Sequence, residues 1–323
     1  MKTLVTGANG FLGAWLCKRL LAEGHDVTAL VRKNSDLSEL NGLKINYAFG
    51  DVTDLVSLEN AFKNKNQIYH LAGVVAYKKS DRAMMNTVNI QGTQNVVSAC
   101  QSQCIDQLLH LSSVVAVGAS FNPVVLNENS NYEISNLNLG YFETKHMAEK
   151  IVITAAHEKK INAICVNPGT IYGPADAKKS SRKMQIKVAK GTLPFYTGGG
   201  VNVVSVDDVI NGIINAVKFG KNGQRYILGG ENLTIKNLFE IIADCAGVSR
   251  PKFKIPTRLL HLLGYIGDTT GLGLSQENAY TASMYHWFDS TKAQNELQFK
   301  PSSSKAAIES SVRWMKDNGY LNS

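Results

Sequence analysis

Thr6-Gly7-Ala8-Asn9-Gly10-Phe11-Leu12-Gly13 follows a short β-branched run at 2–6 and opens a helical pattern that continues to residue 22. This is the strand–turn–helix context that a dinucleotide-binding glycine motif requires. Gly7 allows a tight turn, Gly10 lets the backbone approach a pyrophosphate, and Gly13 lets helix and strand pack closely. Unpaired N–H groups and the dipole at the helix start then favour the anion. A glycine pattern alone is a plain tight turn; with its strand and helix, this one predicts a cofactor site.

Working outward, short apolar runs at 26–31, 45–49, 67–71, 107–112 and 162–167 alternate with helical patterns at 11–22, 55–62, 81–100 and 141–158. Such alternation predicts an α/β fold in which a doubly wound parallel sheet is covered by helices on both faces, a Rossmann domain. After Pro174 the rhythm breaks. Helices near 183–190, 206–218, 235–245 and 257–263 mix with short strands such as 225–228, which predicts a smaller C-terminal α/β substrate lobe. The expected division is 1–173 for the cofactor domain, with a return segment near 201–218, and 174–323 mainly for the substrate lobe. No Pro/Ser-rich linker separates them, so a packed interface with a cleft is expected.

Composition narrows the class. The 323 residues are 44% hydrophobic and 19% charged, ordinary values for a globular enzyme. No apolar stretch approaches the ~20 residues that span a bilayer. The glycine motif begins at residue 6 and leaves no room for a secretory signal, so a cytoplasmic protein is expected. Five cysteines without a C-x₂-C pair read as reduced core residues, and no metal site is expected. The net charge of +8 comes without a nucleic-acid-binding motif, and its densest run is Lys178, Lys179, Arg182, Lys183, Lys187 and Lys190. That run reads as a solvated surface or as a mouth that attracts an anionic substrate.

The second strand ends Val31-Arg32-Lys33, without the acidic residue that NAD-preferring sites place there for the ribose hydroxyls. Arg32 can instead grip a 2′-phosphate through its fork, so NADP(H) is the preferred cofactor and NAD(H) the alternative. Asp51, after the third strand, can accept a hydrogen bond from the adenine amino group.

Tyr141 and Lys145, four apart on a predicted helix, share one face. A free tyrosine has a pKa of ~10, and a cation beside it favours phenolate by about 1.4 kcal/mol per unit of lowering. Y-x₃-K is common by chance. This one follows a strand ending in Ser112-Ser113, at the sheet edge where doubly wound proteins bind ligands.

Together, Thr6–Gly13, Gly50-Asp51, His70-Leu71-Ala72-Gly73, Asn89-x₂-Gly92-Thr93, Ser112-Ser113, Tyr141-x₃-Lys145 and Asn167-Pro168-Gly169-x₂-Tyr172-Gly173-Pro174 resemble the extended short-chain dehydrogenases/reductases. The Val31-Arg32-x₃-Asp36-Leu37 stretch, residues 225–234 and Trp314-x₃-Asn318-Gly319-Tyr320 resemble the dihydroflavonol-reductase-like group, which includes proteins called hopanoid-associated sugar epimerases. The resemblance implies that Tyr141 exchanges the proton and that Lys145 holds the nicotinamide ribose and depresses the tyrosine pKa. It makes Ser113 the group that polarises a carbonyl, with Ser112 as the other choice. Gly7, Asn9, Gly10, Phe11, Leu12, Gly13, Arg32, Asp51, Val52, Leu71, Ala72, Gly73 and Asn89 would bind the cofactor, and Pro168, Gly169 and Thr170 would flank its nicotinamide. It also implies a homodimer through the helices at 81–100 and 141–158.

Carbonyl reduction, sugar epimerisation and dehydration share this fold. Dehydratases of the family carry Asp-Glu directly after the hydroxyl residue, where this chain has Val114-Val115. Nucleotide-sugar enzymes often carry an arginine five residues before Val206-Asp207-Asp208-Val209, where this chain has Val201. Reduction of a small-molecule ketone or aldehyde, partly apolar and closed in by 257–274, is the leading expectation. Epimerisation with retained cofactor and a non-catalytic scaffold are the alternatives.

Overall fold

The computed structural model describes residues 1–178, 182–271 and 273–321, so Lys179 of the basic run and Leu272 lie outside the described residues. Seven parallel strands form the main sheet in the order Arg225–Leu228, Ala163–Pro168, Gln107–Leu111, Gln67–His70, Lys2–Thr6, Asp26–Val31, Asn46–Phe49. The order reverses between Lys2–Thr6 and Gln67–His70. That is the point where adjacent crossovers leave to opposite faces and a crevice opens at the carboxyl ends.

Each face buries its own core. Leu16, Leu20, Tyr69, Leu109 and Ile213 pack on one side, and Leu58, Phe62, Ile68, Val96 and Val152 on the other. The sheet's interior strands are buried along their length without alternation, as expected of strands covered on both faces. Gly7 is at φ +68°, and a Cβ there would stand 2.8 Å from the Ala72 backbone nitrogen. A Cβ on Gly13 would stand 2.1 Å from the Gly7 carbonyl oxygen. A larger residue at Gly7 would push the glycine turn off the backbone of Leu71 and Ala72, and one at Gly13 would push the helix Phe11–Ala22 off that turn.

The strand at 225–228, read from sequence as part of the C-terminal lobe, instead completes the main sheet beside Ala163–Pro168. Its run of Tyr226, Ile227 and Leu228 is buried on both faces there. The helix Val206–Phe219 returns with it and covers the sheet. A second, smaller sheet joins Glu231–Thr234, Gly200–Ser205 and Tyr285–Phe288 to Thr170–Tyr172 and Val125–Leu126.

Three local readings change. The single helix expected over 81–100 is an α turn Arg82–Met85, a π-helical stretch Asn86–Gln91 and an α-helix Gly92–Ser102. The helix expected over 257–263 runs on to Thr270. Arg182, counted in the surface basic run, is buried: its Nε donates to Asp176 Oδ2 at 3.1 Å and its guanidinium lies 3.8 Å over the Tyr172 ring. Of the five free cysteines, Cys17, Cys100 and Cys165 are buried, Cys245 is half-buried and Cys104 is exposed.

Candidate active site

A cleft of about 270 Å³ opens at the reversal of strand order. It is lined by Gly7, Asn9 and Gly10 of the glycine turn, by Arg32 and Ser35 after the second strand, by Asp51 and Val52 after the third, and by Leu71, Ala72 and Gly73, the last of them next to Lys145. No side chain caps the helix at Gly10, and its first turn carries no acid. This lining of close backbone, an open helix start and a cation fits a dinucleotide. Arg32 is exposed. The nearest carboxylate after the second strand, Asp36, accepts from Ser38 N at 2.9 Å and Ser38 Oγ at 3.0 Å. Asp51 Oδ1 is engaged by Thr53 N and Oγ1, each at 2.9 Å.

Other expected cofactor residues lie outside this lining. Leu12 and Gly13 are buried in the helix–sheet contact, and Phe11 packs against the same core. Asn89 is a clamp: Oδ1 accepts from Val74 N at 2.8 Å, while Nδ2 donates to Val74 O at 3.0 Å and Thr144 Oγ1 at 3.1 Å. The π turn widens the helix at this residue, and the side chain ties the loop after Gln67–His70 to the helix Gly140–His157. Pro168, Gly169 and Thr170 leave the main sheet for the second one, and a Cβ on Gly169 would meet Asn202 Oδ1 at 2.5 Å.

Tyr141, Lys145 and Ser113 converge at the carboxyl edge of the strand Gln107–Leu111. Lys145 is buried at 7% exposure, and its Nζ donates to the Leu111 carbonyl at 2.7 Å. The same Nζ lies 3.9 Å from where a Cβ on Gly73 would stand, which joins the catalytic edge to the cleft. Burial pushes the Tyr141 phenol up to about 12, with the Ser113 hydroxyl pulling the other way. Burial also pushes Lys145 down to about 8, opposed by the charge of Glu149. Desolvation therefore sets the direction of the Tyr141 shift, and the Ser113 hydroxyl is the group that opposes it. Ser113 Oγ also accepts from Val115 N at 3.4 Å, whereas the buried Ser112 hydroxyl finds no partner among the described residues.

Behind Lys145 stand two histidines kept neutral by burial. His70, held at about 3, bonds Thr6 Oγ1 at 2.8 Å and Thr93 Oγ1 at 3.1 Å, so it packs rather than titrates. His110, 5.2 Å from it ring to ring, is held well below its ordinary range. On the other side is a network that sequence reading missed. Glu149 accepts from Asn167 Nδ2 and from Arg225 Nη1 at 3.0 Å, and Asn167 Nδ2 also donates to the Ser113 carbonyl at 3.0 Å. Its signal was present, since Glu149 continues the four-residue spacing of Tyr141 and Lys145 along one helix face. Val201, at the position where nucleotide-sugar enzymes carry arginine, is a buried strand residue.

The lysine leaves a measurable imprint on stability. Its folded pKa of about 8 lies below its ordinary 10.5, so between those values the unfolded chain binds more protons and stability rises with pH. Relative to Lys145→Met, wild type should gain on the order of 3 kcal/mol across that window. Urea unfolding of both proteins on either side of it measures this, and parallel pH profiles would contradict it.

A family model described as "NAD dependent epimerase/dehydratase family" matches residues 3–229. The sterol demethylase protein B of Methylococcus capsulatus is 31% identical over 99% of this chain and 100% of its own. A Synechocystis protein provisionally named dihydroflavonol 4-reductase is 29% identical over 98% of this chain and 95% of its own. The crystal structure of gox2253 superposes with a TM-score of 0.90 at 32% identity, covering 99% of each chain. With the match spanning the glycine loop, Ser113, Tyr141 and Lys145, the chain belongs to the NAD dependent epimerase/dehydratase family, the extended short-chain dehydrogenases/reductases, as an NAD(P)-dependent oxidoreductase.

Proposed function

We propose that this protein is a cytoplasmic NADP(H)-dependent carbonyl reductase that acts on a partly apolar ketone or aldehyde. The observation that carries the reading is the meeting of Ser113, Tyr141 and Lys145 beside Gly73 of the cofactor cleft. When bound, the nicotinamide supplies the hydride. Ser113 Oγ orients and polarises the carbonyl oxygen. Tyr141 keeps its proton at neutral pH, which suits an acid that donates to a developing alkoxide. Lys145 supplies the positive charge beside the site, fixed in place by the Leu111 carbonyl.

The surroundings favour an apolar substrate body over a nucleotide sugar. Tyr77 meets the Tyr141 ring edge-on at 6.0 Å, and Phe142, Leu139 and Tyr280 extend the same apolar cluster. Val201 lacks the charge that a diphosphate calls for, and Val114-Val115 lack the acids of an elimination. The provisional reductase name of the Synechocystis relative points the same way. Among the described residues no helix is long and apolar enough to cross a membrane.

Three outcomes follow from this reading. Tyr141→Phe should lower turnover roughly 10²–10⁴-fold, the contribution of a general acid, while cofactor affinity stays near wild type. Ser113→Ala should lower it by a smaller factor. The checks are steady-state rates on a ketone found by screening and fluorescence titration of NADPH; retention of a tenth of wild-type turnover by Tyr141→Phe would remove the assignment.

For the cofactor, NADPH should bind more tightly than NADH, and Arg32→Ala should cost about 1.5–3 kcal/mol for NADPH alone. Equal NADPH dissociation constants for the two proteins would rule out Arg32 as the phosphate grip. For assembly, a groove runs between the helices Gly92–Ser102 and Gly140–His157, past Val97, Met147 and Ile151, and suits a two-fold homodimer. Light scattering should show a dimer at micromolar concentration; a monomer there excludes this interface.

A further inference from the structure

The helix Thr257–Thr270 has two apolar faces. Leu260, Gly264 and Gly267 point inward and are buried, and Gly264 packs so closely that a Cβ on it would stand 2.8 Å from Ala279 Cβ. The outward face carries Leu259, Leu262, Leu263 and Ile266 at positions i, i+3, i+4 and i+7, each 44–54% exposed. Residues with this spacing form one continuous stripe along a helix. Tyr265 beside the stripe is more exposed still. Immediately before the helix, the ribbon that pairs Phe253–Lys254 with Phe195–Tyr196 presents Phe195 and Phe253 to the outside, their rings 6.0 Å apart.

The charge that borders this apolar surface is mainly basic. Residues 250–270 hold Arg250, Lys252, Lys254 and Arg258 against one carboxylate, Asp268, which is 15% exposed and paired with Lys79 at 2.8 Å. Arg250 is paired with Asp244 at 2.7 Å, which leaves the other three as the margin. An amphipathic helix with aromatic and basic borders seats its apolar stripe at the acyl–headgroup boundary, and its Lys and Arg stems reach up to anionic headgroups. At 14 residues the helix lies on such a surface and does not span it. A second copy of the chain, with its own net charge of +8, is a poor electrostatic match for the same margin.

We propose that the outward face of Thr257–Thr270, together with the Phe253–Lys254 ribbon, docks the protein on the surface of an anionic lipid bilayer. The docking does not depend on which reaction the site performs. His261, on the same helix, bonds Ser283 at 2.9 Å and stands edge-on to Tyr280 at 4.9 Å, so the docked helix adjoins the apolar wall next to Tyr141.

Flotation of the full chain with vesicles tests it, comparing phosphatidylcholine alone with phosphatidylcholine mixed with phosphatidylglycerol. Wild type should bind the mixed vesicles and lose binding as salt rises. The double variant Leu262→Gln, Ile266→Gln and the triple variant Lys252→Gln, Lys254→Gln, Arg258→Gln should each bind roughly tenfold or more weakly. All five side chains are exposed, so unfolding midpoints should match wild type. Absence of wild-type binding, equal binding to neutral vesicles, or undiminished binding by the double variant would overturn the proposal. So would light scattering in which wild type self-associates, the double variant does not, and neither binds vesicles.

Discussion

The ammonium group of Lys145, buried and bonded to the carbonyl of Leu111, is the charge about which the catalytic edge is built. A buried cation is costly unless its neighbours answer it. Glu149, one helical turn onward, supplies the opposing charge, and Arg225 and Asn167 in turn hold Glu149. His70 and His110 oppose added charge there, because burial disfavours the protonated form of both. The lysine therefore links the cofactor cleft at Gly73, the strand edge at Leu111 and the Glu149 network. Through Asn167 that network also reaches the backbone of Ser113.

The same desolvation acts oppositely on Tyr141 and Lys145, raising the phenol and lowering the amine. A tyrosine at about 12 and a lysine at about 8 make a site that holds a proton on Tyr141 and offers a partly labile one behind it. In the proposed reduction this polarity suits delivery of a proton to an alkoxide, beside the apolar residues Tyr77, Phe142 and Tyr280.

Local pattern carried much of this into the sequence. The strands at 2–6 and 26–31 and the helices at 11–22 and 55–62 have the bounds their periodicity implied, with Gly7 after the first strand, Gly10 and Gly24 on either side of the first helix and the Asp54 side chain capping the start of the second. The Tyr141–Lys145 pair was legible from its spacing and its place after Ser112-Ser113. What escaped was set by distant partners. Nothing local to 225–228 says which sheet it joins, and nothing local to Arg182 says that Asp176 and Tyr172 bury it. The clamp that Asn89 makes to Val74 and to Thr144, 55 residues away, is equally invisible in the local pattern. The direction of the Tyr141 shift escaped for the same reason: burial is a property of the packed whole, whereas the cation at i+4 is visible in the chain.

Whether the hydride leaves the cofactor for good separates net reduction from epimerisation on this fold. The most direct measurement supplies the purified protein with NADPH deuterated at the transferring position and a panel of apolar ketones, then locates the label by mass spectrometry. The account predicts an alcohol bearing one deuterium on its carbinol carbon, formed mole for mole with oxidised cofactor. A deuterium-free product with the cofactor returned intact, or epimerised sugar with no ketone reduced, would contradict it.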